Sequence, residues 1–376
     1  MNMADYFGKE TPKLGFGFMR LPKLENGETD LEQVKQMVDV FMAAGQTYFD
    51  TAYVYDNGKS EEALRETLVK RYPRDMFTVA TKLCAWLQGH DEASAKQQFY
   101  TSLERTGAGY IDYYLLHALQ ADNYKKCDEY HLWDFLRELK EKGLVRHYGF
   151  SFHAAPELLD ELLTAHPDVD FIQLQLNYAD WENEKVQSRA CYEVARRHGK
   201  SITVMEPVKG GLLANPPKAV RELFDAADPG MSYASWAIRY VASLDGIITV
   251  LSGMSNLAQV EDNVSYMKQF KPLTEREEAV IAQAKTILAQ QKSIPCTACH
   301  YCVDGCPKKI PIPEIFSACN DFFRYENKAR AAKMYQNAVK EKGKASDCIR
   351  CGKCEKTCPQ QLKVRGFLEE AAKLFD

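Results

Sequence analysis

The sequence reads as a closed (β/α)8 barrel followed by a small, mostly helical domain built around cysteines. Three observations predict it. Short apolar runs alternate with longer amphipathic stretches eight times between residues 14 and 270, and many of these runs are apolar on both faces, as strands buried in a parallel sheet are. No GxGxxG follows the first run, which counts against an open dinucleotide-binding sheet. Eight of the twelve cysteines fall in two groups within the last quarter of the chain. The 376 residues accommodate a barrel of about 250 residues and an appendage. The expected division is a barrel over 1–272, a connecting helix over 273–290 and the cysteine-bearing domain over 291–376.

The elements follow in order. LGFGFMRL, residues 14 to 21, is a short strand whose glycines, Gly17 among them, permit close approach of a ligand. Asp30 caps a helix that runs to about residue 44, with Gly45 ending it. The strand 47–52 leads into a polar loop with Tyr55 and Gly58. A helix over 60–70 follows, with Ser60 as its expected cap. The strand 77–82 ends on Lys82, and a helix over 92–106 stops at Gly107. The strand 111–117 ends on His117; a helix over 130–142 stops at Gly143; the strand 145–151 ends on Ser151. Pro156 opens the next helix, which stops before Pro167. Strand 170–177, helix 183–198, strand 201–207, helix 231–243, strand 247–253 and helix 257–270 complete the alternation.

Composition narrows the classes. The hydrophobic fraction of 45% is ordinary for a globular chain. The first ten residues have no apolar core, so they do not read as a signal peptide. No apolar run approaches the roughly 20 residues that span a bilayer. The expectation is a cytoplasmic protein with no membrane contact. Charge is uneven: residues 291–376 hold 16 Lys+Arg against 10 Asp+Glu, a net of +6, and the remainder carries −10. A basic tail can signal nucleic acid, but the cysteines offer a better reason.

In a β/α barrel, chemistry gathers at the C-terminal strand edge. Asp50, Lys82 and His117 end the second, third and fourth strands, and Tyr55 lies in the loop after the second. A free Tyr, with a pKa of about 10, donates poorly at neutral pH. A neighbouring ammonium favours phenolate and lowers that pKa, and a His alongside can orient a carbonyl oxygen. The set suits protonating an oxygen as hydride reaches its carbon.

Over roughly residues 12 to 270 the chain resembles the aldo-keto reductase superfamily, through Asp50 and Tyr55 in FDTAYVY, Lys82 in VATK and His117 in LLHAL. The resemblance implies a TIM barrel that reduces an aldehyde or ketone to an alcohol, or the reverse, with NADP or NAD. It makes Tyr55 the general acid, tuned by Lys82 and Asp50, with His117 orienting the substrate. It places the carboxamide at Ser151 and Gln173, with Phe152 where an Asn is common. Met205 takes the position of the family's stacking aromatic. The loop EPVKGGLL, with Pro207, Val208, Gly210, Gly211 and Leu212, resembles the segment that wraps the pyrophosphate. Gly253, Ser255, Gln259 and Asn263 in SGMSNLAQVEDN resemble the adenosine site, without the basic side chains that often grip a 2′-phosphate. Arg20, at the end of the first strand, is a further candidate to face the cofactor or an acidic substrate, with Met19 beside it.

The tail carries its own signal. Cys296, Cys299, Cys302 and Cys306 form C-x2-C-x2-C-x3-C-P, and Cys348, Cys351, Cys354 and Cys358 repeat it. This is the bacterial two-cluster ferredoxin run, in which the fourth cysteine ligates the other cluster. The expected cluster 1 is therefore held by Cys296, Cys299, Cys302 and Cys358, and cluster 2 by Cys348, Cys351, Cys354 and Cys306. The following Pro and the third short step do not suit a zinc knuckle. Two four-thiolate [4Fe-4S] cubanes carry about −4 together, which accounts for the basic tail without nucleic acid. Cys84, Cys127, Cys191 and Cys319, outside the motif, read as core.

Three functions remain open on the sequence. In the first, the barrel is a nicotinamide-dependent reductase of a small carbonyl or alcohol, with structural, regulatory or relay clusters. In the second, the clusters exchange electrons between a barrel-bound cofactor and a ferredoxin or flavoprotein partner. That case needs a flavin between the two-electron hydride and the one-electron cubane, and no separate flavin motif is present. The third is a non-catalytic redox-sensing subunit, which the intact tetrad disfavours.

Overall fold

A computed structural model describes residues 11–376 apart from positions 88, 90, 185, 291 and 326. The opening ten residues, which carry the signal-peptide reading, lie outside them. The strands are β1 (Leu14–Gly17), β2 (Tyr48–Asp50), β3 (Thr78–Leu83), β4 (Ile111–Leu119), β5 (Val145–Phe152), β6 (Phe171–Gln175), β7 (Ser201–Met205) and β8 (Ile247–Ser252). They pair in sequence order, all in parallel, and β1 also pairs with β8, so the barrel closes. A buried cluster of Tyr48, Ala80, Tyr113, Leu115, Phe171, Ile248 and Leu251, drawn from five strands, packs its interior.

The helices between the strands form where the apolar spacing and caps direct. In α1 (Leu31–Ala43), Val34, Met37, Val38 and Phe41 are buried at helical spacing, and the Asp30 carboxylate accepts from the Gln33 amide at 3.0 Å. α2 (Lys59–Leu64) continues into a wider π turn, Arg65–Val69. In α3 (Glu92–Thr106), Asp91 and Ser94 form a capping box, and Gly107 takes the left-handed conformation (φ 63°) that ends the helix.

α5 (Leu132–Glu141) is the helix expected over 130–142 and starts after left-handed His131 (φ 49°); α4 (Lys125–Glu129), just before it, lies outside the expected helix. α6 (Pro156–Ala165) follows, then α7 (Ser188–Arg197), which starts later than expected because Gln187 is also left-handed (φ 51°). α8 (Lys218–Ala227) lies between the expected strand 201–207 and helix 231–243, where no helix is expected; Val220 and Phe224 are buried one turn apart. α9 (Tyr233–Ala242) and α10 (Leu257–Met267) finish the barrel segment.

Two further expectations are corrected. The first strand stops at Gly17, and Phe18–Arg20 coil into a 3-10 turn, so Arg20 sits beyond the strand. Ser60 is not a cap: the helix begins one residue earlier. The Ser60 hydroxyl lies 2.7 Å from Thr51 Oγ1 and donates to the Phe18 carbonyl at 3.1 Å. It ties α2 to the ends of the first two strands.

The residues fall into two compact units, 11–207 with 235–274, and 208–234 with 275–376. In the second, α8 packs on α11 (Glu275–Gln290). Then come α12 (Tyr301–Asp304), α13 (Ile312–Tyr325), α14 (Lys328–Val339), α15 (Lys353–Lys356) and α16 (Val364–Phe375). Ile310, Ile312, Ile315, Phe316, Leu362, Val364 and Leu368 make its core. The Asn320 amide pairs with both the N–H and the carbonyl of Ile294, at 2.7 and 2.8 Å, which satisfies two buried backbone groups. Among the described residues no helix is long and apolar enough to cross a membrane.

Candidate active site and cluster sites

The parallel register brings the tetrad together. Asp50 is the last residue of β2, Lys82 lies near the end of neighbouring β3, and His117 follows on β4. Lys82 is fully buried, and its ammonium donates to both oxygens of Asp50, at 2.7 and 2.8 Å, and to the Thr51 carbonyl at 2.6 Å. Three donors thus meet three acceptors, which is the condition for holding a charge out of water. Burial pushes the Asp50 carboxyl up, and the Lys82 charge pulls against it. The Lys82 Nζ lies 5.0 Å from the centre of the Tyr55 ring, and the His117 ring centre lies 5.6 Å from it, edge to face. Tyr55 opens a short 3-10 turn that Asp56 and Asn57 bend sharply, both with positive φ. Burial, and next the Lys82 ammonium, hold His117 well below the usual imidazole range, so it is neutral at neutral pH.

The sequence missed the surroundings of His117. Cys84 Sγ stands 3.1 Å from its Nδ1, and the Trp86 indole donates to its carbonyl at 3.2 Å. The Gln98 amide on α3 clamps Cys84 in turn, accepting from its N–H at 2.9 Å and donating to its carbonyl at 3.0 Å. The sequence carries no strand alternation to mark them, because β3 ends at Leu83 and Ala85–Trp86 form a turn.

Next along the sheet, Ser151 Oγ on β5 accepts from the Ala118 amide at 2.7 Å, and its own proton has no acceptor among the described residues. Gln173 on β6 is buried, yet its amide makes only long contacts: 3.6 Å to Met205 Sδ and 3.4 Å from Thr203 Oγ1. Two of the expected nicotinamide neighbours, Gln173 and Met205, therefore touch. Gly17 and Gly253 lie against each other, and Arg20 covers Gly253, where an added Cβ would come 3.2 Å from the Arg20 chain. Met19 beside it is half-buried. Ser255 donates its amide to the Gln259 side chain at 2.7 Å. Asn263 is buried and engaged, donating to Ser252 Oγ at 2.8 Å and accepting from Tyr266 at 2.6 Å.

Pro207 belongs to the first unit; Val208, Gly210, Gly211 and Leu212 belong to the second. There Gly210 has φ 63°, and a Cβ on it would lie 2.6 Å from the Thr297 carbonyl oxygen. That close backbone approach requires glycine. Lys209 is buried rather than open to solvent.

The motif cysteines ring two small cavities. Cys296, Cys299, Cys302 and Cys358 line one, with Ile312, Phe316, Leu362 and Val364. Cys306, Cys348, Cys351 and Cys354 line the other, with Ile310, Ile312 and Leu368. Each cavity takes three cysteines from one run and the fourth from the other. Burial, then the neighbouring thiols Cys299, Cys296 and Cys358, push Cys302 up, and burial raises Cys354 to about 11. Thiols so crowded are costly to ionise unless iron neutralises them, so the donor set fits a four-thiolate cluster in each cavity. Cys84, Cys127, Cys191 and Cys319 are buried and line neither cavity.

The Aldo/keto reductase family model matches residues 13–285, and a 4Fe-4S dicluster domain model matches 295–363. An uncharacterized oxidoreductase of Bacillus subtilis, YqkF, is 24% identical over 70% of this chain and 90% of its own length. An aldo-keto reductase of Mycolicibacterium vanbaalenii is 31% identical over 63% of this chain and 79% of its own. Among solved structures, an aldo-keto reductase from Bacillus halodurans in its holo form superposes with a TM-score of 0.58 at 27% identity, covering 72% of this chain and 91% of its own. One from Klebsiella pneumoniae, in complex with NADP and acetate, shares the fold at 19% identity with a TM-score of 0.60, over 74% of this chain and 94% of its own. The match over most of the chain makes this protein an oxidoreductase of the aldo/keto reductase family, with a 4Fe-4S dicluster domain at its C-terminal end.

Proposed function

We propose that the barrel reduces a small aldehyde or ketone to the alcohol, or runs the reverse reaction. A bound NADPH or NADH supplies the hydride. Tyr55 hands its phenolic proton to the substrate oxygen as negative charge develops there. Lys82 stabilises the phenolate left behind, and Asp50 with the Thr51 carbonyl keeps the ammonium in place. The neutral imidazole of His117 orients the carbonyl. The observation that carries this reading is the fully satisfied, buried Lys82 ammonium beside the Tyr55 ring.

Ser151 and Gln173 have the spare hydrogen-bonding capacity a carboxamide needs, and Met205 gives the ring a polarizable surface. The NADP complex of the Klebsiella pneumoniae relative supports a nicotinamide here. Gly17, Met19 and Arg20, the loop residues Pro207, Val208, Gly210, Gly211 and Leu212, and Gly253, Ser255, Gln259 and Asn263 are assigned to the remainder of the cofactor. Cluster 1 is assigned to Cys296, Cys299, Cys302 and Cys358, and cluster 2 to Cys348, Cys351, Cys354 and Cys306. Neither takes a step in hydride transfer, since a cubane moves one electron and hydride carries two.

Tyr55→Phe tests the reading with 4-nitrobenzaldehyde and NADPH as probes. Turnover should fall by about 10²–10⁴, the usual worth of a positioned acid, while cofactor binding measured by fluorescence titration stays unchanged. Retained reduction would remove Tyr55 as the acid.

A further inference from the structure

We propose that the Cys84 thiol donates its hydrogen to Nδ1 of His117 and so fixes the imidazole as the tautomer with hydrogen on Nε2. Cys84 is then a positioning residue: it touches neither substrate nor cofactor and acts through His117. The consequence for turnover rests on the carbonyl-reduction reading above; the contact itself does not.

The geometry comes first. The sulfur and Nδ1 are 3.1 Å apart, and both side chains are buried. Neither is free to swing away. Gln98 holds the peptide of Cys84 from both sides, and Trp86 holds the carbonyl of His117. Two arrangements satisfy that distance. Either the thiol donates to an Nδ1 lone pair, or Nδ1–H points at sulfur.

Chemistry separates the two. A neutral imidazole has one N–H and one lone pair, and the lone pair on an sp² nitrogen is a far better acceptor than a thiol sulfur. An Nδ1–H aimed at the sulfur would pair a good donor with a weak acceptor and leave the thiol hydrogen without the nitrogen lone pair it can reach. The thiol keeps its hydrogen, because burial holds Cys84 well above the usual thiol range. The same burial keeps His117 neutral. With Nδ1 accepting, Nε2 carries the hydrogen, which is the form that can donate to a carbonyl oxygen. The opposite tautomer would present a lone pair to that oxygen and repel it.

A cysteine that merely fills space predicts something else. Val and Ala would then serve about as well in turnover, with changes confined to stability. The test is the imidazole ¹⁵N spectrum of the full-length, oxidised protein labelled at its 8 histidines, with His117→Asn used to assign the signal. Wild type and Cys84→Ser should show hydrogen on Nε2. Cys84→Ala and Cys84→Val should show both tautomers, with kcat on 4-nitrobenzaldehyde reduced about tenfold, the rate equivalent of one ordinary hydrogen bond. Cys84→Ser should recover most of that loss. A wild-type signal with hydrogen on Nδ1 overturns the proposal, as does an unchanged Nε2–H signal in Cys84→Val. If Tyr55→Phe retains activity, the catalytic reading fails while the spectrum still decides the role of Cys84.

Discussion

The two candidate sites of this chain are assembled by opposite means. Each cluster cavity draws three of its four thiols from one stretch of seven residues, so a local run of sequence builds most of the site. The tetrad draws each member from a different strand or loop, and only the closed parallel register brings Asp50, Lys82 and His117 side by side. The first design tolerates loose surroundings, because the metal itself gathers the ligands. The second has no such organiser. It must be held by buried neighbours, and its geometry fails when one of them is removed.

Lys82→Met presses that difference hardest. It leaves the Asp50 carboxylate buried without its partner, so chemical denaturation should show a loss of about 3–5 kcal/mol, and carbonyl reduction should vanish. A cluster ligand should behave otherwise. Cys358→Ser should lower iron from about eight to about four per chain, and adding Cys296→Ser should remove no more, because both belong to one cavity. If the double variant loses all its iron, the crossed pairing is wrong.

Acid should separate the units more gently. Burial holds His117 well below its ordinary value and brings His147 and His153 to about 4. Each is neutral when folded at pH values where the unfolded imidazole, near 6.5, is already protonated. Their contribution is whole above about 6.5 and is lost as pH falls toward 4, by at most about 1.4 kcal/mol per pH unit for each histidine. All four tryptophans lie in the barrel unit, so denaturation followed by their fluorescence at pH 7, 6 and 5 reads the slope there. His147→Asn should flatten it. The smallest effect is expected at Gly210→Ala. Its positive φ and the contact with Thr297 cost about 1–2 kcal/mol. The turn between Cys296 and Cys299 should shift, and iron release to a chelator should quicken.

Legibility in the sequence followed the same division. The cysteine runs announce their partners by spacing, so the four residues around each cavity could be named before any fold was known. Asp50, Tyr55, Lys82 and His117 could be named because strand ends are visible in apolar patterning and because the family resemblance supplied roles. Gln98 and Cys84 could not: a glutamine inside an amphipathic helix looks like any surface position until the helix is laid against β3. The breaks at His131 and Gln187 were hidden for a related reason. Neither residue is a glycine, so the sequence does not mark their left-handed backbone. Helix α8 is hard to read because only Val220 and Phe224 of its residues are buried, too few to make a clear apolar stripe.

The pairing of α8 with α11 constrains how the protein is made. During synthesis α8 leaves the ribosome while α9, β8 and α10 are still inside the exit tunnel and α11 is not yet made. Its Val220 and Phe224 face must therefore wait, uncovered, through the making of the last barrel strand. A nascent chain arrested after Met267 should be held by chaperones at that face, and one arrested after the whole of α11 has emerged should be released.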